Sequence, residues 1–373
     1  MKKLSIFSCL LYLSLCGCIT EYEAERIDEV KDILVVEGVI TDNETVITLS
    51  RSVNISDESY PVYIDNADVY VECDDGTLMQ AEPYDYFSWG GVSRNGRYII
   101  KTGKLNLNNK YCLKIEIDEH KYYSDFSYPI QTPEIDSIFW RKRGRGQPVM
   151  LYVATHEPEQ KVAYYRWSYR EDWEIHAHIQ AAGFPYYCWS SSSNNDLLLG
   201  STEKTVYGQL ADVLTEIESS DRRLSKLYRI IVKQNVVSKR AHDYYTNIRK
   251  NSQLNGSIFA PTPSELRGNI ACITDPERPV IGYVEVSTTA AKKQRFISRS
   301  DNLYEYEPPS NIECTEYSLS ALLEKYRGTS IPYFYVPLIV REGSEPFYIN
   351  IQCVDCRVLQ LGNTTQKPDD WPR

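Results

Sequence analysis

The sequence holds only five histidines, His120, His156, His176, His178 and His242, and none is spaced as the helical pair that carries zinc beside a glutamate. His176 and His178 share the polar face of one strand, but no third ligand accompanies them, so they read as two exposed imidazoles. There is no Gly-x-Ser-x-Gly elbow, no glycine-rich phosphate loop ahead of a lysine and no calcium loop with carboxylates at alternate positions. Those absences remove the recognisable nucleophile, nucleotide and metal chemistries. No cofactor, metal site or catalytic residue is expected, although paired carboxylates leave no spacing signature and keep a surface hydrolase open as a reading. Positive charge is short as well: 41 Lys and Arg face 51 Asp and Glu, a net of -10. An acidic body lacks the groups that neutralise phosphates, and no nucleic-acid partner is expected. Long apolar runs are missing too. The one stretch apolar enough to enter a bilayer, from Leu4 to Leu15, falls short of the roughly 20 residues of a spanning helix.

That short stretch follows Lys2 and Lys3 and ends at Leu15-Cys16-Gly17-Cys18, the order of charged, apolar and small-residue regions in a secretory signal peptide. Leu15 three places before Cys18 and Gly17 next to it resemble the bacterial lipobox, so residues 1–17 are read as signal and Cys18 as the lipidated N-terminus. Losing Lys2 and Lys3 takes the formal charge from -10 to -12. So acidic a body would not adhere electrostatically to anionic lipid, which leaves acyl chains as the anchor. Residues 18–31 form an acidic tether without apolar period, expected to stay extended. Acidic residues behind a lipidated cysteine resemble the Bacteroidota signal for display on the outer face of the outer membrane.

Cys18 aside, seven cysteines follow the signal: Cys73, Cys112, Cys188, Cys272, Cys314, Cys353 and Cys356. Seven is odd, so at least one thiol is unpaired or bonds between chains. Export permits disulfides, with Cys188, Cys272, Cys314, Cys353 and Cys356 as candidates and their connectivity open. Cys353-Val-Asp-Cys356 has redox spacing but no βαβ surroundings, and is read as structural.

From Ile33 to about Ser127, short strands alternate in polarity and are punctuated by Asp-Asp-Gly, Asn-Gly and Asn-Asn turns. In Tyr111, Leu113, Ile115 and Ile117 one face is apolar, which turns Cys112 outward, while the matching register at Ala67, Val69 and Val71 turns Cys73 inward. Residues 32–130 are expected to form an immunoglobulin-like or transthyretin-like β-sandwich. Gln131-Thr-Pro-Glu134 marks the boundary, and 131–373 reads as a larger mixed, mainly β domain, α+β overall, with one or a few helices. In it a hairpin, Ile135 to Arg141 and Val149 to Thr155, carries a basic glycine-rich tip. Ala163 to Ala177 is a strand with Tyr165, Trp167, Tyr169, Trp173 and Ile175 on one face; Glu171 falls on that apolar face, and a bulge turning it outward is the expected resolution. Short helices are expected within Thr205 to Ser219 and Leu224 to Tyr228, and a longer one from Ser238 to Asn255 with Ala241, Tyr244, Tyr245 and Ile248 as its stripe. Strands resume at Arg229 to Val237 and, beyond the helix, at Val280 to Ser287, Gln294 to Ser298, Tyr333 to Val340 and Phe347 to Cys353.

Aromatics are abundant, with 30 Tyr and 6 Trp. Rigid amphipathic rings favour interfaces and stacking on ligands. Tyr84, Tyr86, Phe87 and Trp89, ending on two glycines, form the candidate binding loop.

Several segments together resemble domain of unknown function family 4249, lipoproteins of Bacteroidota: Leu34-Val-Val-Glu-Gly38, Ile135-Asp-Ser-Ile138, Tyr165-Arg-Trp167, Cys188-Trp189, Val232-Lys-Gln234, Gly268-Asn-Ile-Ala-Cys272, Val280-Ile-Gly-Tyr283 and the ending from Cys353 to Trp371. The similarity runs from about residue 30 to the C-terminus, with Asp370 replacing the usual aromatic before Trp371. The resemblance implies a lipid-anchored outer-membrane protein facing the cell exterior, a non-enzymatic accessory or binding subunit accompanying a TonB-dependent β-barrel receptor in nutrient capture. It carries no catalytic residues and names no ligand. An envelope-assembly role is the alternative. Asp136-Ser137-Ile138 also fits the short O-glycosylation pattern of that phylum, but a strand entry suits it better.

Overall fold

Alternation of apolar and polar residues organises the chain. In the computed structural model, which describes residues 33–372 apart from 54–61, 84–85, 89–90, 94, 160, 195, 255–267, 289–290, 306–313, 339–345 and 361, strand takes 48% of the chain and helix 11%. The protein is mainly β, as the two-residue period predicts.

The largest sheet runs in the order Ile270–Cys272, His120–Ser124, Tyr111–Ile117, Asp68–Cys73, Leu78–Pro83, Arg97–Gly103, Asn43–Arg51, Leu34–Ile40 and Val280–Gly282. Leu78–Pro83 is its fold line, because residues 78–80 pair with Asp68–Cys73 and residues 81–83 with Arg97–Gly103. Inward side chains from both halves meet in one core, with Ile47, Leu49 and Ile100 from one and Val71, Leu113 and Ile115 from the other. Gly38 has φ +154°, and a Cβ there would lie 2.7 Å from the Val46 carbonyl oxygen, so the first hairpin closes only around glycine.

Residues far along the chain complete this sheet. Val280–Gly282 and Glu285–Val286 run parallel to Leu34–Ile40, and Ile270–Cys272 is antiparallel to His120–Ser124. Gly282, at φ +153°, allows the approach, since a Cβ there would sit 2.5 Å from the Val36 oxygen. The unit read as 32–130 is therefore finished by residues 270–286, and 131–373 is not one uninterrupted domain.

A second core lies between a three-stranded sheet, Ile135–Lys142, Val149–His156 and Gln209–Ile217, and a sheet centred on Tyr164–His176 and Leu227–Val237. Val149, Leu151 and Val153 meet Tyr165, Trp167, Tyr228 and Ile230 there. Gln209–Ile217 corrects the helix expected within 205–219. Leu210, Leu214 and Ile217 mimic helical spacing because the register against Val149–His156 shifts between Leu151 and Tyr152, leaving Leu214 as the extra residue of a bulge. The expected helix past Ser238 is present as Lys239–Leu254, with the Ser238 hydroxyl accepting from the Ala241 amide at 3.2 Å. Ala241, Tyr244 and Tyr245 are its buried stripe. Beyond Phe347–Asn350 the expected strand gives way to the helical turn Ile351–Val354, because the Asn350 side chain caps the Gln352 amide.

Disulfides join Cys188 to Cys356 and Cys314 to Cys353. Cys272, one of the five candidates, is instead a free thiol, buried in the first core on the strand beside His120–Ser124 with no cysteine opposite it. Cys112 does not face solvent as the register suggested. It is buried because the Glu72–Lys114 ion pair, with Lys114 lying over the Tyr123 ring, covers that side of the sheet, and burial pushes its thiol up to about 12.

Candidate functional site

Of the residues singled out from sequence, Cys18, Tyr84 and Trp89 lie outside the described residues. Tyr86 and Phe87 belong to Tyr86–Ser88, which pairs with Gly91–Ser93 in a small hairpin rather than an open loop. His176 is engaged by Glu174 and by the Tyr186 and Tyr187 rings. His178 is held below its ordinary value by burial and then by Arg222. Among the described residues, no group of three His, Cys, Asp or Glu is placed to hold a metal ion. The basic hairpin tip is tied down by Glu305, which pairs with Lys142 at 2.5 Å and accepts from the Gly146 amide at 2.6 Å.

Glu171 does not turn outward. Tyr164–His176 keeps its register against Leu227–Val237 without a bulge, and Glu171, 4% exposed, stays in the protein. It accepts from Arg223 at 3.0 and 3.1 Å and from the Tyr228 hydroxyl at 2.6 Å. Burial and that carboxylate push the Tyr228 hydroxyl well above its ordinary value. The next residue, Asp172, points to the opposite face and is fully buried. It accepts from Arg229 at 2.6 and 3.0 Å and from Ser191 at 2.6 Å. Burial alone would raise its carboxyl, but the Ser191 and Arg229 hydrogen bonds outweigh it and hold the group below the usual range. Arg229 in turn lies against the rings of Phe296 and Trp371, at 5.8 and 5.3 Å from their centres, and donates to the Asp369 carbonyl at 2.8 Å; the two rings meet edge to face. These two acids are thus locked by arginines, as buried charges must be, and the C-terminal tryptophan closes the second of them.

The feature that sequence reasoning missed is a cleft of about 950 Å³ where the two cores meet, a volume in the range of small-molecule sites. One wall is Leu34–Ile40, through Val35 and Glu37; a second is Tyr164–His176, through Arg166; the third is Lys239–Leu254, through Tyr244, Tyr245 and Arg249. The Arg166 guanidinium lies over the Tyr245 ring at 4.7 Å from its centre, and the Tyr245 hydroxyl donates to the Tyr283 carbonyl at 2.9 Å. Burial raises the Tyr245 hydroxyl above its ordinary value, and nearby Arg166 works against that rise. An arginine on the polar face of a strand gives no signal by itself; the Tyr244-Tyr245 pair on the stripe of the facing helix is the clue that could have pointed here.

A family model described as Domain of unknown function (DUF4249) matches residues 19–293. The chain belongs to the DUF4249 family. No curated protein matches it. The DUF4249 match spans the first core, most of the second and the cleft walls, and stops before Cys314, Cys353, Cys356 and Trp371. Several landmark segments are rivets around the cleft. Gln234 accepts from the Trp167 indole at 2.8 Å and donates to Pro133 and Thr155, each at 3.0 Å. Asn269 exchanges two 2.8 Å hydrogen bonds with the Val284 backbone, fixing the return of residues 270–286 to the first sheet.

Proposed function

We propose that this DUF4249 protein is a lipid-anchored binding subunit on the outer face of the outer membrane, which holds a small nutrient molecule and works beside a TonB-dependent β-barrel receptor. The observation that carries the reading is the cleft walled by both cores, wide enough for a ligand of a few hundred daltons and mixed in polarity. The lipobox at Cys18 and the acidic tether behind it support the location. A 43.1 kDa acidic body with no helix, among the described residues, long and apolar enough to cross a membrane depends on its acyl chains for attachment. The tagged full-length protein, purified from detergent-solubilised membranes and analysed by mass spectrometry, should bring a β-barrel protein with it. Recovery of the lipoprotein alone, under mild detergent and crosslinking alike, would sink the partnership. Cys18→Ser should move the protein from the membrane to the soluble fraction, and a variant that stays membrane-bound would sink the anchor.

A further inference from the structure

Three buried acids in this chain are each held by an arginine. Arg223 holds Glu171, Arg229 holds Asp172, and Arg357 holds Asp355. Arg166, half-buried in the cleft wall, has no carboxylate within ion-pair distance among the described residues; its partner is the face of the Tyr245 ring. A guanidinium carries five N–H donors in a planar fork, the geometry that takes a carboxylate. The surface beside it is apolar, formed by Leu197, Leu198, Ile248 and Ile281. Glu37 and Asp196 line the same cleft, so each negative charge beyond the one that Arg166 takes adds repulsion and disfavours a doubly charged anion.

We propose that the cleft binds a monocarboxylate with an apolar body, such as the C-terminal end of a short hydrophobic peptide, with Arg166 taking the carboxylate and the Leu197 to Ile248 wall taking the body. The proposal rests on the binding reading above and names its ligand class. The test is calorimetry on the detergent-solubilised full-length protein with the tripeptide Leu-Leu-Leu and with its C-terminal amide, which differ only in the charge. The free acid is expected to bind at least tenfold more tightly than the amide. Arg166→Gln should remove that preference while leaving the thermal melt and circular dichroism unchanged, whereas Arg143→Gln, exposed on the hairpin tip and outside the cleft lining, should keep it. Inorganic phosphate at the same concentration should not compete. The proposal is overturned if neither peptide binds, if acid and amide bind alike, if phosphate displaces the acid, or if the preference survives Arg166→Gln or disappears with Arg143→Gln. Should the peptides fail while a β-barrel still copurifies, the ligand class is wrong and the accessory reading stands; the opposite pattern separates them the other way.

Discussion

The two cores of this protein are held together by different means. The first is apolar interdigitation between two halves of a folded-over sheet, and the three cysteines of that sheet, Cys73 and Cys272 in the core and Cys112 on the other face, are all free thiols. The second carries adjacent buried acids on opposite faces of one strand, each neutralised by arginine, and both disulfides fasten the segment that covers it. One core tolerates loss of a methyl group in small steps. The other has charges that cannot be left alone, so its failures should be abrupt. The three thiols of the first sheet are buried rather than bonded.

The sharpest break of this contrast is Arg229→Ala, which takes the buried partner from the fully buried Asp172 and leaves it only Ser191 and the more exposed Arg170. It should cost about 3–5 kcal/mol in urea unfolding of the full chain, the scale for breaking a buried pair; a loss below 1 kcal/mol would mean that Arg170 and Ser191 suffice for Asp172. Next is Cys188→Ser, expected to cost about 2–4 kcal/mol because Cys188 and Cys356 close a loop of sequence separation 168. The native protein treated with reductant should lose more than that, because Cys314–Cys353 is cut as well, while the first core has no bond to cut. Ile47→Val, in the middle of the first core, should cost about 1 kcal/mol. A cost above 3 kcal/mol would show that this core is as brittle as the other.

The smallest effect concerns the junction. Glu285, on the strand that returns to the first sheet, accepts from the Ser238 hydroxyl at 2.5 Å at the start of Lys239–Leu254. Burial raises its carboxyl above the ordinary value, against the pull of Ser238 and Arg240. A raised acid binds its proton more tightly when folded, so its contribution is full below the unfolded value and is lost as pH rises through the folded one. Unfolding measured from weakly acidic to neutral pH should show a decline in the native protein that Glu285→Gln flattens. Parallel curves for the two would remove Glu285 from the account.

Much of the strand pattern could be read in advance because each strand has one dry face. Tyr111–Ile117 has the bounds expected from its alternation, Leu34–Ile40 differs by a single residue, and the capping serine and apolar stripe located Lys239–Leu254. Pairing between distant segments could not be read. Nothing in Val280–Gly282 specifies that it lies parallel to Leu34–Ile40, since that contact depends on a glycine allowing two backbones to approach. Cys112 was misplaced because a salt bridge beside an aromatic ring can cover a sheet as thoroughly as leucine does. The bulge at Leu214 hid a strand behind helical spacing. Arg166 was invisible as a site because its meaning lies in what it lacks, a neighbouring acid, and that is a property of three elements meeting rather than of any one.

The late arrival of residues 270–286 also sets an order of events. A chain emerging from its N-terminus has Leu34–Ile40 and its hairpin partner early, yet the outer edge of that strand waits for a segment almost 250 residues downstream. Until then it offers open backbone donors and acceptors to any other strand nearby, the condition in which nascent β proteins associate wrongly. The first core is therefore unfinished until residue 286 has emerged, and a fragment ending near residue 130 should aggregate where the whole chain does not.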